Sequence, residues 1–161
     1  MLKKGLCLLI GIMMLFCQIN VVHATNLASG AESTILIDAN SQQVLYQKNA
    51  TKKLYPASTT KIMTMILLFE AIKEKRINWN DTLSCSAYAA SMGGSQVYLE
   101  ENEKMSVNEL FKCVAIASAN DASVLIGEGI AGSHQGFVKM MNEKAKQLKL
   151  VNTHFKLHRT S

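Results

Sequence analysis

Ser58-Thr-Thr-Lys61 sets a hydroxyl and an amine three residues apart, at the head of a long apolar run. A serine hydroxyl is a weak nucleophile and needs a base within hydrogen-bond reach. Residues i and i+3 of a helix share a face, so Lys61 can approach the Ser58 hydroxyl. Burial disfavours the ammonium form and makes a neutral lysine base accessible. A helix N-terminus also favours negative charge developing on a substrate oxygen. The pair therefore suits nucleophilic catalysis. The same letters also fit a plain helix start, with Ser58 as the N-cap and Lys61 on the surface. The spacing by itself leaves both readings open.

A second pairing is Ser118-Ala-Asn120, an S-x-N; Ser106-Val-Asn108 has the same form. Ser106 opens a capping box with Glu109, which accounts for it. Ser118 follows a run of small residues where a helix should stop, so its hydroxyl and the Asn120 amide can project into a cleft. The bland alternative is that Ser118 to Asp121 cap the next helix, a task Asp121 could perform alone. Other patterns carry less. Gly127-Glu-Gly-Ile-Ala-Gly132 spells G-x-G-x-x-G, but a dinucleotide site needs a strand ahead of the glycines and tolerates no Glu128 beside a pyrophosphate. These glycines read as a helix end and turn. His154 and His158 have H-x3-H spacing without a nearby Cys or acidic residue, so no metal site is expected. No G-x-S-x-G is present, which excludes the hydrolase nucleophile elbow.

The elements that must position these residues follow from periodicity. Ser33 to Asp38 and Val44 to Tyr46 are β-rich runs around the turn residues Ala39 to Gln42, a β-hairpin. Ile62 to Ile72 is apolar almost all round and predicts a helix buried on most sides. Asn78 to Asp81 is a turn, and Ser91 to Ser95, with paired glycines, a loop. A helix runs from the Ser106 cap to about Ala117, another from Asp121 to about Gly127, and a third from Ser133 to Leu148 with Phe137, Met140, Met141, Ala145 and Leu148 on one face. The fold class is α+β, a hairpin followed by a helical cluster.

The 161 residues are 48% hydrophobic and 18% charged, enough for one domain and too apolar for a disordered chain. No repeat occurs at a fixed period, which excludes a solenoid. Lys and Arg number 17 against 12 Asp and Glu. The basic residues are spread along the chain with few aromatics between them, a solvated surface and not a nucleic-acid site. Lys3 and Lys4 precede a charge-free stretch from Gly5 to Val22, and Val22-His23-Ala24 is a signal-peptidase site. Residues 1–24 are therefore an expected export signal, and 25–161 the mature part, working outside the cytoplasm with no membrane anchor in this chain. Cys7 and Cys17 leave with the signal. Cys85 and Cys113 remain; their apolar neighbours suggest packed thiols, although an exported pair can also bond.

Taken together these residues resemble the serine-type D-alanyl-D-alanine carboxypeptidases, the low-molecular-mass penicillin-binding proteins. Leu54-Tyr-Pro-Ala-Ser-Thr-Thr-Lys-Ile-Met-Thr64 is similar to the family's nucleophile segment. Tyr88-Ala-Ala-Ser-Met-Gly-Gly-Ser-Gln96 resembles the loop bordering its active site. Ala115 to Ser123 resembles its second motif, and Asn152-Thr-His-Phe155 a stretch just beyond. The likeness runs from about Ser33 to Lys156. It implies the β-lactamase/transpeptidase-like fold, and the removal of the terminal D-alanine from peptidoglycan stem peptides through an acyl-enzyme, without metal or cofactor. It also implies trapping by β-lactam antibiotics. By this resemblance Ser58 is the acylated nucleophile, Lys61 its proton acceptor, Ser118 a proton relay near the leaving group, and Asn120 a holder of Lys61 and of a substrate amide.

One departure stands out: the family's third motif, K-[ST]-G, does not occur in these 161 residues. The chain is thus expected to be an incomplete catalytic domain, lacking later sheet strands and weak or inactive by itself. A class A β-lactamase-like hydrolase and a non-catalytic wall-binding remnant are the alternative readings. The export reading has a direct check. N-terminal sequencing of secreted material should begin at Thr25, and a cell-retained chain beginning at Met1 would contradict it.

Overall fold

The computed structural model describes residues 27–156. The export signal, Cys7, Cys17 and His158 lie outside the described residues. Two compact units divide at Leu54 and Tyr55.

The first unit is the expected hairpin. Strand β1 (Thr34–Ile37) pairs antiparallel with β2 (Val44–Lys48), with a register shift between Leu36 and Ile37. Asp38 builds the turn: its Oδ1 accepts from the backbone N–H groups of Asn40 (3.2 Å) and Ser41 (2.7 Å) and from Ser41 Oγ (2.8 Å). These donors stabilise the charged form and hold the Asp38 carboxyl below its ordinary value. Gln42, at φ 60°, closes the turn in the left-handed region. Lys48 Nζ donates to the carbonyls of Ala28, Ser29 and Ala31, which ties the preceding turn to the hairpin.

The second unit holds the helices. After a 3-10 turn at Ala57–Thr60 come α1 (Lys61–Lys73), β3 (Thr82–Ser84), α2 (Ala87–Ala90) and β4 (Lys104–Ser106). Then follow α3 (Val107–Ala117), α4 (Asn120–Ala131) and α5 (His134–Gln147). Helix α4 is the hub, packed against α1, α2, α3, α5 and β3. Leu68, Leu110 and Ile126 form the driest part of the core. A smaller cluster of Met63, Leu67, Phe137 and Met141 joins α1 to α5. The α+β expectation stands, as does the Ser106–Glu109 capping box: the serine hydroxyl accepts from the Glu109 N–H at 3.2 Å while Glu109 Oε2 accepts from the Ser106 N–H at 3.3 Å.

Three expectations need correction. Helix α1 is buried on one stripe only, Met63, Thr64, Leu67, Leu68 and Ala71; Ile62 and Phe69 remain 54% and 49% exposed. Its neighbours α3, α4 and α5 cover only part of its circumference. Gly127 and Gly129 are not a turn but lie inside α4, where they permit close packing. A Cβ on Gly127 would meet the Phe137 ring at 2.5 Å, and one on Gly129 would meet Leu83 Cδ1 at 2.5 Å. Only Gly132, at φ 74°, ends the helix. The second small sheet, β3 with β4, and the one-turn helix α2 capped by Ser86 were not expected. Three-residue strands some twenty residues apart leave no alternation to read. Cys85 and Cys113 are free thiols, the first buried and the second half-buried.

The loop between α2 and β4 is held by a fully buried carboxylate, Asp121, at the first turn of α4. Asp121 Oδ2 accepts from the backbone N–H groups of Val97 (3.1 Å) and Leu99 (3.1 Å), and Oδ1 from that of Ala122 (2.9 Å). Asp121→Ala would strand these donors and should destabilise the chain by about 2–4 kcal/mol. Asp121→Asn, which keeps one acceptor, should cost less. Urea unfolding measures both, and a loss for the alanine variant within ~0.5 kcal/mol, the range of a surface substitution, would contradict this role.

Candidate active site

The site is built where the 3-10 turn, the α3–α4 junction and the loop after α2 converge. Pro56 sets φ −75° ahead of the turn, and Ala57 then adopts φ 47°. A non-glycine residue in the left-handed region is strained, and such residues concentrate at functional positions. This reversal leads into Ser58, which stays exposed on the wall of a cavity of about 500 Å³. The Thr59 N–H donates to the Pro56 carbonyl at 3.1 Å, and the Lys61 N–H to the carbonyls of Ser58 and Thr59. Ser58 thus belongs to the tight turn, and Lys61 is the first residue of α1. Three residues per turn stack positions i and i+3 over one another, and both side chains line the same cavity.

The Lys61 ammonium is held by side chains of the α3–α4 junction. Its Nζ donates to Asn120 Oδ1 at 2.6 Å and to Ser118 Oγ at 3.2 Å. Ser118 ends α3 in the left-handed conformation, φ 55° and ψ 36°, which breaks the helix and turns the hydroxyl toward Lys61. The capping alternative for Ser118 to Asp121 fails: α4 starts after Ala119 with no side-chain cap. Asn120 donates through Nδ2 to the Gly93 carbonyl at 2.6 Å, and through its backbone N–H to the Ser95 carbonyl at 2.7 Å. One helical turn further along both helices, Thr64 Oγ1 and Ser123 Oγ lie 3.1 Å apart, also on the cavity wall. Burial pushes the Lys61 amine below its ordinary value, and the nearby Asp121 charge opposes that shift.

The structure therefore gathers Lys61, Ser118 and Asn120 into one hydrogen-bonded group, with Ser58 on the same cavity. The cavity lining also includes the apolar residues Met92, Phe137, Val138, Met141 and Phe155. His134 is also there, its ring 5.0 Å from that of Tyr88. Sequence reasoning missed the Gly93 and Ser95 carbonyls, because a backbone acceptor has no letter. It also missed Asp121 as the anchor of the loop, although the S-A-N-D run contained it. His154 is exposed and does not line the cavity. Among the described residues, no three His, Cys, Asp or Glu side chains come together as a metal site.

Comparisons with known proteins relate the chain to one family by sequence and by fold. A family model described as D-alanyl-D-alanine carboxypeptidase matches residues 20–159. The chain is 50% identical over 155 residues to D-alanyl-D-alanine carboxypeptidase DacF of Bacillus subtilis, covering 92% of this chain and 40% of the relative. It is 40% identical over 131 residues to DacC of Escherichia coli, covering 78% of this chain and 33% of the relative. Among solved structures, DacD of Francisella tularensis superposes with a TM-score of 0.76 at 33% identity, over 82% of this chain and 33% of that one. Penicillin binding protein 5 of Haemophilus influenzae gives 0.74 at 34% identity, over 78% and 38%. The chain thus spans 40% or less of the length of these proteins. With nearly its whole length matched by one family model, its fold shared with solved members and its polar group in the expected motifs, the chain belongs to the D-alanyl-D-alanine carboxypeptidase family of serine peptidases.

Proposed function

We propose that this chain carries the nucleophile half of a D,D-carboxypeptidase site acting on peptidoglycan stem peptides that end in D-Ala-D-Ala. The observation that carries the reading is the Lys61 ammonium bonded to Ser118 Oγ and Asn120 Oδ1 beside a cavity that Ser58 also lines. In its neutral form Lys61 takes the Ser58 proton as Ser58 Oγ attacks the carbonyl between the two D-alanines. The tetrahedral intermediate collapses, the C–N bond breaks, and the departing D-alanine amine receives a proton through Ser118. An ester on Ser58 remains, and water hydrolyses it to regenerate the hydroxyl. A β-lactam carbonyl would enter the same sequence, its ring amide taking the place of the scissile bond.

Residues 1–24 serve as the export signal in this reading, which delivers residues 25–161 to the wall side of the membrane. No described helix is long and apolar enough to cross a membrane. The 161 residues hold no K-[ST]-G tripeptide. We accordingly assign no residue here to the substrate carboxylate. By the family resemblance the strand that carries this motif also supplies one oxyanion donor, whose loss typically costs about 10²–10³ in rate, so these 161 residues alone should release little D-alanine.

A chimera tests the assignment. Residues 33–156 replace the matching segment of the Bacillus subtilis relative, and intact mass is recorded after incubation with penicillin. The chimera should gain one adduct on Ser58, and Ser58→Ala should gain none. Lys61→Ala should acylate about 10²–10⁴-fold more slowly, the usual contribution of a positioned base. An adduct at another residue, or normal acylation of the Lys61→Ala chimera, would overturn the reading.

A further inference from the structure

Asn120 has two polar ends and two partners of fixed character. The Lys61 ammonium can only donate, and the Gly93 carbonyl can only accept. The amide must therefore present Oδ1 to Lys61 and Nδ2 to Gly93, both at 2.6 Å. Its orientation depends on the Gly93 carbonyl being close, and that depends on the next residue. Gly94 sits at φ 80°, a conformation side-chain-bearing residues rarely adopt, and a Cβ there would lie 2.9 Å from Asn120 Nδ2. Nothing lies within 4 Å of a Cβ on Gly93. The two glycines are thus unequal: one is open to a side chain, while the other is closed by both its backbone and its neighbour.

We infer that Gly94 is a positioning residue for the catalytic lysine, pressing the loop onto the Asn120 amide so that Oδ1 is locked toward Lys61 Nζ. The effect passes through Asn120, and Gly94 touches no reacting atom. It rests on the reading of Lys61 as the base, but its test needs no turnover. The backbone N–H of Asn120 on Ser95 and the Asp121 carboxylate on Val97 and Leu99 hold the rest of the loop, so the segment stays docked when the amide contact alone is disturbed.

The experiment follows the Lys61 side chain of this chain by NMR, titrating Nζ in ¹⁵N-lysine-labelled protein and assigning it with Lys61→Arg. Gly94→Ala should carry the Lys61 midpoint away from that of the unchanged chain and to that of Asn120→Ala. The Gly94→Ala/Asn120→Ala double variant should show no additional shift. Gly93→Ala should leave the midpoint where it was. A Gly94→Ala midpoint equal to that of the unchanged chain, with only a lower melting temperature, would reduce Gly94 to a structural residue and overturn the inference. So would an Asn120→Ala chain whose Lys61 midpoint has not moved. Should Gly94→Ala fail to fold, the double variant decides. With the amide gone the clash is relieved and only the backbone strain at φ 80° remains, so the double variant should be more stable than Gly94→Ala, and a double variant no more stable than the single one would overturn the inference. Penicillin acylation of the chimera is read separately, so a failed assignment of Ser58 and Lys61 is distinguishable from a failed role for Gly94.

Discussion

The site depends on one junction, the first turn of α4, where neighbouring side chains point to opposite tasks. Asn120 faces the cavity and takes the Lys61 ammonium. Asp121 faces the interior, fully buried, and gathers backbone N–H groups from the loop after α2. A buried carboxylate is tolerated only when hydrogen-bonded, so the loop has to close onto α4 for the fold to be stable. Closing it delivers the Gly93 and Ser95 carbonyls to Asn120. The cost of burying one charge is thereby coupled to the geometry of the group that faces the cavity. Left-handed backbone at Ala57 leads into Ser58, and left-handed backbone at Ser118 ends α3 beside Lys61.

The electrostatics of Lys61 are a balance between two effects. Burial favours the neutral amine, and the negative charge of Asp121 favours the ammonium. A general base works best when its proton affinity is close to the working pH. Burial dominates, so the balance moves Lys61 in the direction a base requires. The nearby carboxylate and the two oxygen acceptors keep the ammonium form accessible for the proton's return. Neither Ser118 nor Asn120 needs to ionise for this.

Much of the site was legible in the sequence, and the reason is chemical. Lys61, Ser118 and Asn120 meet through their side chains and Ser58 lines the same cavity, and S-x-x-K and S-x-N record all four by letter. The hairpin, the capping box and α5 were also readable, since each rests on local spacing. What escaped was set by tertiary contact. Helix α1 is apolar on all sides, so periodicity could not say that Ile62 and Phe69 would stay exposed. Gly127 and Gly129 read as a helix end because their value lies in Phe137 and Leu83, distant residues that press against them. The S-x-x-K pair was expected on one helix face. Instead Ser58 lies in a 3-10 turn, and Lys61 Nζ bonds to side chains of the α3–α4 junction.

The central claim is that Lys61, held by this junction and tuned by burial, is the base that activates Ser58. The pH dependence of the acylation rate in the chimera tests it most directly. The rate should rise with pH through one ionisation below the ordinary lysine value of 10.5, as the ammonium loses its proton, and that ionisation should vanish with Lys61→Ala. A rate independent of pH, or one that rises only with an ionisation at the ordinary lysine value, would contradict the account.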